Sequence, residues 1–81
     1  MTLEEAFLLD TLRCRFKYLR EEFGLTKQEA SQHLDVPLAD YLLYEDGETL
    51  PDVLTILHAS ALYKVSVDYL LGQTETPTRD F

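Results

Sequence analysis

Residues 25–71 read LTKQEASQHLDVPLADYLLYEDGETLPDVLTILHASALYKVSVDYLL, and this stretch decides the fold. It is divided at short intervals by residues that begin or end helices. Thr26 is a common N-cap residue, and Pro37 suits the first turn of a helix because its missing N–H needs no partner there. Gly47 readily takes the left-handed conformation that ends a helix. The stretch therefore predicts a series of short helices joined by tight turns.

A longer helix precedes this stretch. Thr2 and Glu5 have the spacing of a capping box, nothing from there to Phe23 breaks a helix, and Gly24 ends it. Asp35 is expected in a tight turn, where it tolerates the left-handed region. The later helices are expected over residues 26–34, 37–46, 52–64 and 66–71, with Gly72 closing the last.

The first helix carries two apolar stripes. One has alternating spacings of three and four and is expected to face the core; it consists of Leu9, Leu12, Phe16, Leu19 and Phe23. A second stripe contains Phe7, Cys14 and Tyr18, and the helix start adds Leu3 and Leu8. A small monomeric core has little room for both stripes, so the extension predicts a homodimer. The open alternative is that the tail, ending in Phe81, folds back over it.

Composition limits the classes of protein that the chain can belong to. Its 81 residues suit one domain, 46% of them are hydrophobic, and the net charge is −8. One cysteine, Cys14, allows no internal disulfide and fits a reducing compartment. No apolar run approaches the roughly 20 residues of a membrane span. We therefore expect a globular cytoplasmic protein without a membrane partner.

Four short stretches follow one another along the chain: Leu25-Thr26, Val36, Tyr44 to Gly47, and Val65 to Leu71. In this order and spacing they resemble the lambda-repressor-like (Xre/Cro-type) helix-turn-helix family. The resemblance implies an all-α, five-helix domain over residues 1–72 with an extended first helix, followed by a flexible C-terminal tail over residues 73–81. Members of this family bind duplex DNA as transcription regulators in bacteria or phages.

The resemblance also implies a structural ion pair. Arg20 lies four residues before Gly24, and Glu45 lies two before Gly47. In relatives an Arg and a Glu at such positions join the first helix to the end of the third. The open alternative is that Arg20 and Glu45 are unrelated surface charges.

DNA contacts are carried over from the family by position. The start of the second helix, which contacts phosphate in relatives, matches Thr26, Lys27 and Gln28. The reading face of the third helix matches Pro37, Leu38, Ala39, Asp40, Leu42 and Leu43. None of the reading positions offers a donor to guanine or adenine, and Asp40 accepts only from cytosine. Sequence reading of DNA by this helix is therefore expected to be poor.

Charge supports the same expectation. No Lys or Arg occurs between Lys27 and Lys64. Acidic residues are grouped around the third helix instead: Asp35, Asp40, Glu45, Asp46, Glu48 and Asp52. The first helix carries the bases Arg13, Arg15, Lys17 and Arg20. These bases form either a solvated face or a displaced phosphate-binding patch, and both interpretations stay open.

Leu38 and Leu42, one turn apart, form a ridge beside acidic residues, with Leu43 next to them. An exposed apolar ridge rimmed with charge is typical of a protein-binding surface. The alternative is that these leucines pack on the first helix.

The predicted function is thus a transcription-regulator module with weak or partner-dependent DNA contact. The alternative function is a protein-interaction module, such as an antagonist that mimics DNA.

Catalysis has little support in the sequence. His33 and His58 lie on different predicted helices, and Cys14 is expected to be a small buried hydrophobe. There is no ligand spacing for a metal, no glycine-rich phosphate loop and no catalytic triad. We expect no enzyme activity, cofactor, metal or small-molecule substrate.

Overall fold

The computed structural model describes residues 1–78, and this part of the chain is all-helical. The helices, in chain order, are α1 Leu3–Glu22, α2 Lys27–His33, α3 Leu38–Asp46, α4 Val53–Tyr63 and α5 Val67–Leu70. The prediction of an all-α, five-helix domain with a long first helix is confirmed, and the helix ends agree to within one or two residues.

The ends of α1 follow from local chemistry. The Thr2 hydroxyl accepts from the Glu5 N–H at 3.0 Å, and the Glu5 carboxylate accepts from the Thr2 N–H at 3.3 Å, so the predicted capping box forms. Beyond the other end, Gly24 has φ +67°, where a residue without a Cβ carries no steric penalty. The chain therefore leaves α1 sharply and enters α2.

The core is built where α1 crosses α3. Phe16 is fully buried, with its ring stacked on Tyr41 and edge-on to Tyr44, each at 6.3 Å between centroids. The predicted core stripe of α1 holds only in its middle, at Leu12, Phe16 and Leu19. Its two ends depart from the prediction: Leu9 is half-buried, and Phe23 is exposed because it lies past the last turn of α1.

The connection between α2 and α3 is a tight turn. Asp35 has φ +58°, the left-handed conformation expected of it. The Val36 N–H donates to the carbonyl of Ser31 at 3.0 Å, which fixes the exit of the turn. Pro37 is the N-cap residue of α3 and immediately precedes its first residue, Leu38. The sequence predicts Pro37 within the first turn instead.

The segment after α5 runs back across the domain as far as it is described. The Ser66 N–H donates to the carbonyl of Pro77 at 3.0 Å, and Arg15 lies 3.3 Å from Glu75. The proposed fold-back of Phe81 over α1 lies outside the described residues. No helix among residues 1–78 is long and apolar enough to cross a membrane.

Candidate nucleic-acid interface

All nine positions carried over for DNA contact are on the surface. The start of α2 exposes Thr26, Lys27 and Gln28, and the turn and α3 expose Pro37, Leu38, Ala39, Asp40, Leu42 and Leu43. Tyr41 and Glu45 lie on the opposite side of α3 and are buried. The structure thus brings the predicted residues onto one helix pair, with the buried side of α3 holding it in place.

A buried polar cluster sets the position of α3. Arg20 Nε lies 2.7 Å from Glu45 Oε2, and Arg20 Nη2 lies 3.2 Å from Glu45 Oε1. Arg20 Nη1 donates to the carbonyl of Leu25 at 2.9 Å, and the Tyr41 hydroxyl donates to Glu45. The ion pair expected from the resemblance is therefore present, and it joins α1, the start of the helix-turn-helix and α3.

Tyr41 is part of this cluster and stays protonated. Its burial, together with the hydrogen bond to Glu45, holds the pKa of Tyr41 well above its ordinary value. A neutral hydroxyl can donate to the Glu45 carboxylate, so Oε2 of Glu45 accepts from both Arg20 and Tyr41, while Oε1 accepts from Arg20.

The start of α2 contains a feature that the sequence reasoning missed. Thr26 and Glu29 form a second capping box: the Thr26 hydroxyl accepts from the Glu29 N–H at 3.1 Å, and the Glu29 carboxylate accepts from the Thr26 N–H at 2.8 Å. The backbone hydrogen bond from Thr26 lowers the pKa of Glu29, so this carboxylate is ionised at neutral pH. The Thr-x-x-Glu spacing would have revealed it. Glu29 therefore places a negative charge where the family contacts phosphate.

The reading face of α3 is partly open to solvent. Leu38, Leu42 and Leu43 are 37–38% exposed, so each keeps part of its side chain in contact with the domain. Burial raises the pKa of the Tyr44 hydroxyl, and the negative charges of Asp40 and Asp52 raise it further. The face that α3 presents is thus apolar with acidic neighbours.

The helix-one bases have partners inside the domain. Arg13 pairs with Asp10, and Arg15 pairs with Glu75 while its guanidinium lies 4.0 Å from the centre of the Tyr69 ring. Arg20 is buried in its pair with Glu45. Three of the four bases of α1 therefore already have an acidic partner within the domain, and the buried Arg20 belongs neither to a solvated face nor to a free phosphate-binding patch.

The extension of α1 makes a contact of its own. Phe7 and Thr11 lie over Gly72: a Cβ placed on Gly72 would be 2.9 Å from Thr11 Cγ2 and 3.2 Å from Phe7 Cζ. Phe7 is still 53% exposed, Leu8 is half-buried and Leu3 is almost fully exposed. The ring of Phe7 thus serves the contact between α1 and α5 as well as facing solvent.

Residues considered for catalysis are scattered. Cys14 is exposed, so the prediction that it is buried was wrong; it faces away from the side of α1 that carries Leu12, Phe16 and Leu19. His33 is exposed, and Nδ1 of the half-buried His58 lies 3.4 Å from the carbonyl of Leu34. Within residues 1–78, no group of three or more His, Cys, Asp or Glu side chains could hold a metal ion.

Another surface was not anticipated from the sequence. Leu50 and the α4 residues Val53, Leu54 and Leu57 are exposed. Its signal was present, because the α4 sequence VLTILHASALY contains no Asp, Glu, Lys or Arg. A helix that is apolar on several sides is normally covered on several sides.

Known proteins similar to this chain are bacterial regulators. The HTH-type transcriptional regulator ImmR of Bacillus subtilis (strain 168) is 38% identical over 66 residues, which cover 82% of this chain and 52% of that protein. The uncharacterized HTH-type transcriptional regulator YobD of the same organism is 32% identical over 63 residues, covering 78% and 56%. No family model matches the chain. The chain spans about half the length of the curated relatives it matches.

A solved structure extends the similarity to three dimensions. The crystal structure of a transcriptional regulator from Listeria innocua matches with a TM-score of 0.72 and 25% identity, over 85% of this chain and 64% of that one. Sequence and structure agree, and the chain belongs to the helix-turn-helix family of Xre, or lambda-repressor-like, type.

Proposed function

We propose that this chain is the helix-turn-helix domain of a transcription regulator whose contact with DNA, through α2 and α3, is weak or depends on a partner. The observation that carries the proposal is the exposed surface of α2 and α3. This surface carries the nine positions that correspond to DNA-contacting positions of the family. Its one basic residue is Lys27, and no other Lys or Arg follows before Lys64.

The chemistry of this surface limits what it can bind. Lys27, with the Thr26 hydroxyl and the Gln28 amide, can donate to one stretch of phosphate backbone. The ionised Glu29 opposes the phosphate at the same helix start. On α3, Leu42 and Leu43 can contact thymine methyls but provide no hydrogen bond to a base edge. Such a surface provides few released counterions and little discrimination between sequences.

Binding to random-sequence duplex DNA at low and moderate salt tests the proposal. We expect a dissociation constant above the roughly 10⁻⁴–10⁻⁶ M of ordinary non-specific binding at physiological salt. At low salt, Lys27→Ala should remove about one phosphate contact from the salt slope, whereas the control Lys17→Ala on α1 should not. A tight complex with a steep slope would contradict the weak contact. A slope unaffected by Lys27→Ala would place DNA elsewhere on the domain.

A protein-interaction module is the second candidate. Its support is the partly exposed ridge of Leu38, Leu42 and Leu43 beside Asp40 and Asp46. Acidic groups arranged around a convex helix can mimic the phosphates of DNA and occupy the binding surface of another regulator. The two candidates differ in a competition assay: a mimic releases duplex DNA from a basic helix-turn-helix protein without itself binding the duplex.

A further inference from the structure

Unlike an ordinary surface helix, α4 is apolar on its outer side as well as on the side that packs on the core. Its buried side holds Thr55, Ala59, Ser60 and Tyr63. Its outer side exposes 73% of Val53, 60% of Leu54 and 51% of Leu57. We propose that this outer side, the α4 face, is a homodimer contact in which the α4 helices of two copies pack antiparallel about a two-fold axis near Leu57.

The buried side of α4 already has its partners within the domain. The Ser60 hydroxyl donates to the carbonyl of Val65 at 2.6 Å, and the Asp52 carboxylate accepts from the N–H of the buried Thr55 at 2.8 Å. These contacts fix the rotation of α4, so Val53, Leu54 and Leu57 cannot turn inward. Their positions along the helix place them within an arc of about 100°, which is the width of an ordinary packing face.

The absence of charge from α4 favours a second copy over other partners. A two-fold contact brings two identical faces together, so a face with a net charge meets the same net charge, whereas an uncharged face has no such repulsion. Every residue of α4 lacks a formal charge, apart from the titratable His58. In a chain with a net charge of −8, this face is suited to meeting its own copy.

The two ends of α4 determine the direction of packing. Asp52 caps the N-terminal end, preceded by Glu48, and Lys64 follows the C-terminal end; all three are exposed. Antiparallel packing brings each Lys64 near the acidic end of the other copy, whereas parallel packing brings like charges together. In the antiparallel arrangement the positive N-terminal end of each α4 also lies beside the negative C-terminal end of the other, which is favourable.

The α1 extension is the rival surface for the same homodimer. Part of Phe7 is already used against Gly72, and the extension begins with Glu4 and Glu5. Exposure alone does not separate the two surfaces, since Leu3 is 88% exposed, but the α4 face has no Asp, Glu, Lys or Arg on the helix itself. The inference rests on the proposed function in one respect: the second copy is the partner on which DNA contact depends. Association is measured without DNA, so its failure is separate from a failure of DNA binding.

Equilibrium sedimentation of the full chain at about 0.15 M salt, where charges are screened beyond about 8 Å, tests the contact. We expect the wild type to dimerise, and Leu54→Asp and Leu57→Asp to raise the dissociation constant on the order of a hundredfold, since each change occurs twice in the contact. Circular dichroism should show that both variants fold, because the substituted side chains are exposed. Phe7→Asp, the matched control on α1, should still dimerise.

Three results would overturn the proposal. They are a wild-type chain that stays monomeric up to about 1 mM, dimerisation unaffected by both α4 variants, and dimerisation abolished by Phe7→Asp alone. Lys64→Glu should weaken the dimer about tenfold by placing acid opposite acid; an unchanged constant overturns the antiparallel direction.

Cross-linking gives a second measurement that needs no destabilising charge. In a Cys14→Ser background, Leu57→Cys places the sole thiol near the proposed axis, where two Cα atoms within about 7 Å can be bridged. Under mild oxidation this chain should form covalent dimers at least about tenfold faster than the wild type, whose sole thiol, Cys14, lies on α1. Equal rates for the two chains would contradict the α4 contact.

Discussion

The guanidinium of Arg20 donates to both carboxylate oxygens of Glu45 and to the carbonyl of Leu25. Removing it leaves a buried carboxylate without its charge partner. We expect Arg20→Met to lower the free energy of unfolding by about 3–5 kcal/mol. Urea unfolding provides the measurement. Arg13→Met is the control: its pair with Asp10 is exposed, so solvent screens the attraction and the loss should be much smaller than for Arg20→Met. Equal losses would mean that the Arg20–Glu45 pair does not hold α3 in place.

Two capping carboxylates predict how stability changes in acid. Backbone hydrogen bonds from Thr26 and Thr55 lower the pKa of Glu29 and of Asp52 below their ordinary values of 4.5 and 3.8. A carboxyl group whose pKa is lower in the folded chain stabilises the fold above its unfolded pKa. That stability is lost as the pH falls through the folded pKa.

Thermal unfolding between about pH 6 and pH 2 measures this effect. Glu29→Gln and Asp52→Asn each keep a hydrogen-bond acceptor but remove the titrating group. The melting temperature of the double variant should therefore fall less between about pH 6 and pH 2 than that of the wild type. Glu4→Gln is the matched control, because Glu4 lies in the first turn of α1 but its carboxylate is not part of the capping box there, which uses Thr2 and Glu5. A double variant as acid-sensitive as the wild type would contradict the role of the two caps.

At the scale of the elements, the contact between α1 and α5 is tested at Gly72. Both Gly72 and Gly24 have positive φ, so alanine at either costs roughly 1–2 kcal/mol of backbone strain. A Cβ meets nothing within 4 Å at Gly24 but lies 2.9 Å from Thr11 Cγ2 at Gly72. Gly72→Ala should therefore destabilise the chain by about 1 kcal/mol more than Gly24→Ala in urea unfolding.

Thr11→Ser removes the Cγ2 methyl and checks the cause. In that background the extra destabilisation by Gly72→Ala should shrink, because the closest contact is gone. Two alanine variants of equal stability would show that α1 and α5 separate easily. The extension of α1 would then have more apolar surface free for a partner.

The helices were predictable because their ends are encoded locally. Thr2, Thr26, Asp52 and Ser66 each accept from a backbone N–H three residues on, and Gly47 takes φ +74° after α3. Such signals need no knowledge of tertiary packing. The ion pair of Arg20 and Glu45, in contrast, joins residues far apart in the sequence. It could be anticipated only from the family resemblance.

The side of each helix that would be buried was harder to predict. Cys14 lies on an apolar-looking stripe of α1 yet is exposed, because the domain covers the opposite side of the helix, with Leu12, Phe16 and Leu19. In α4, apolar residues occur around most of the helix, so periodicity did not distinguish the side of Ala59 from the side of Leu54. Only the packing of the other helices decides which side faces solvent. The sequence therefore located the exposed residues of α2 and α3, whose contact with DNA stays a prediction, but it did not locate the α4 face.

Across the whole molecule, charge is distributed against the expected approach of DNA. The acidic residues Asp35, Asp40, Asp46, Glu48 and Asp52 are all exposed, whereas Arg20, the base that neutralises Glu45, is buried. Arg13 and Arg15 are paired on α1. If duplex DNA approaches α2 and α3, the acids near that surface should limit its affinity more than the net charge does.

Charge reversal at matched positions separates these two effects. Asp40→Lys with Glu48→Lys changes the net charge from −8 to −4 beside α3, and Glu4→Lys with Glu21→Lys makes the same change on α1. All four side chains are exposed, so both double variants should fold. The α3 variant should bind random duplex DNA more tightly and steepen the salt dependence by about two phosphate contacts, since each new lysine releases about 0.9 counterion. The α1 variant should gain much less. Equal gains in a salt titration would mean that net charge alone governs binding, and the proposed approach through α2 and α3 would be wrong.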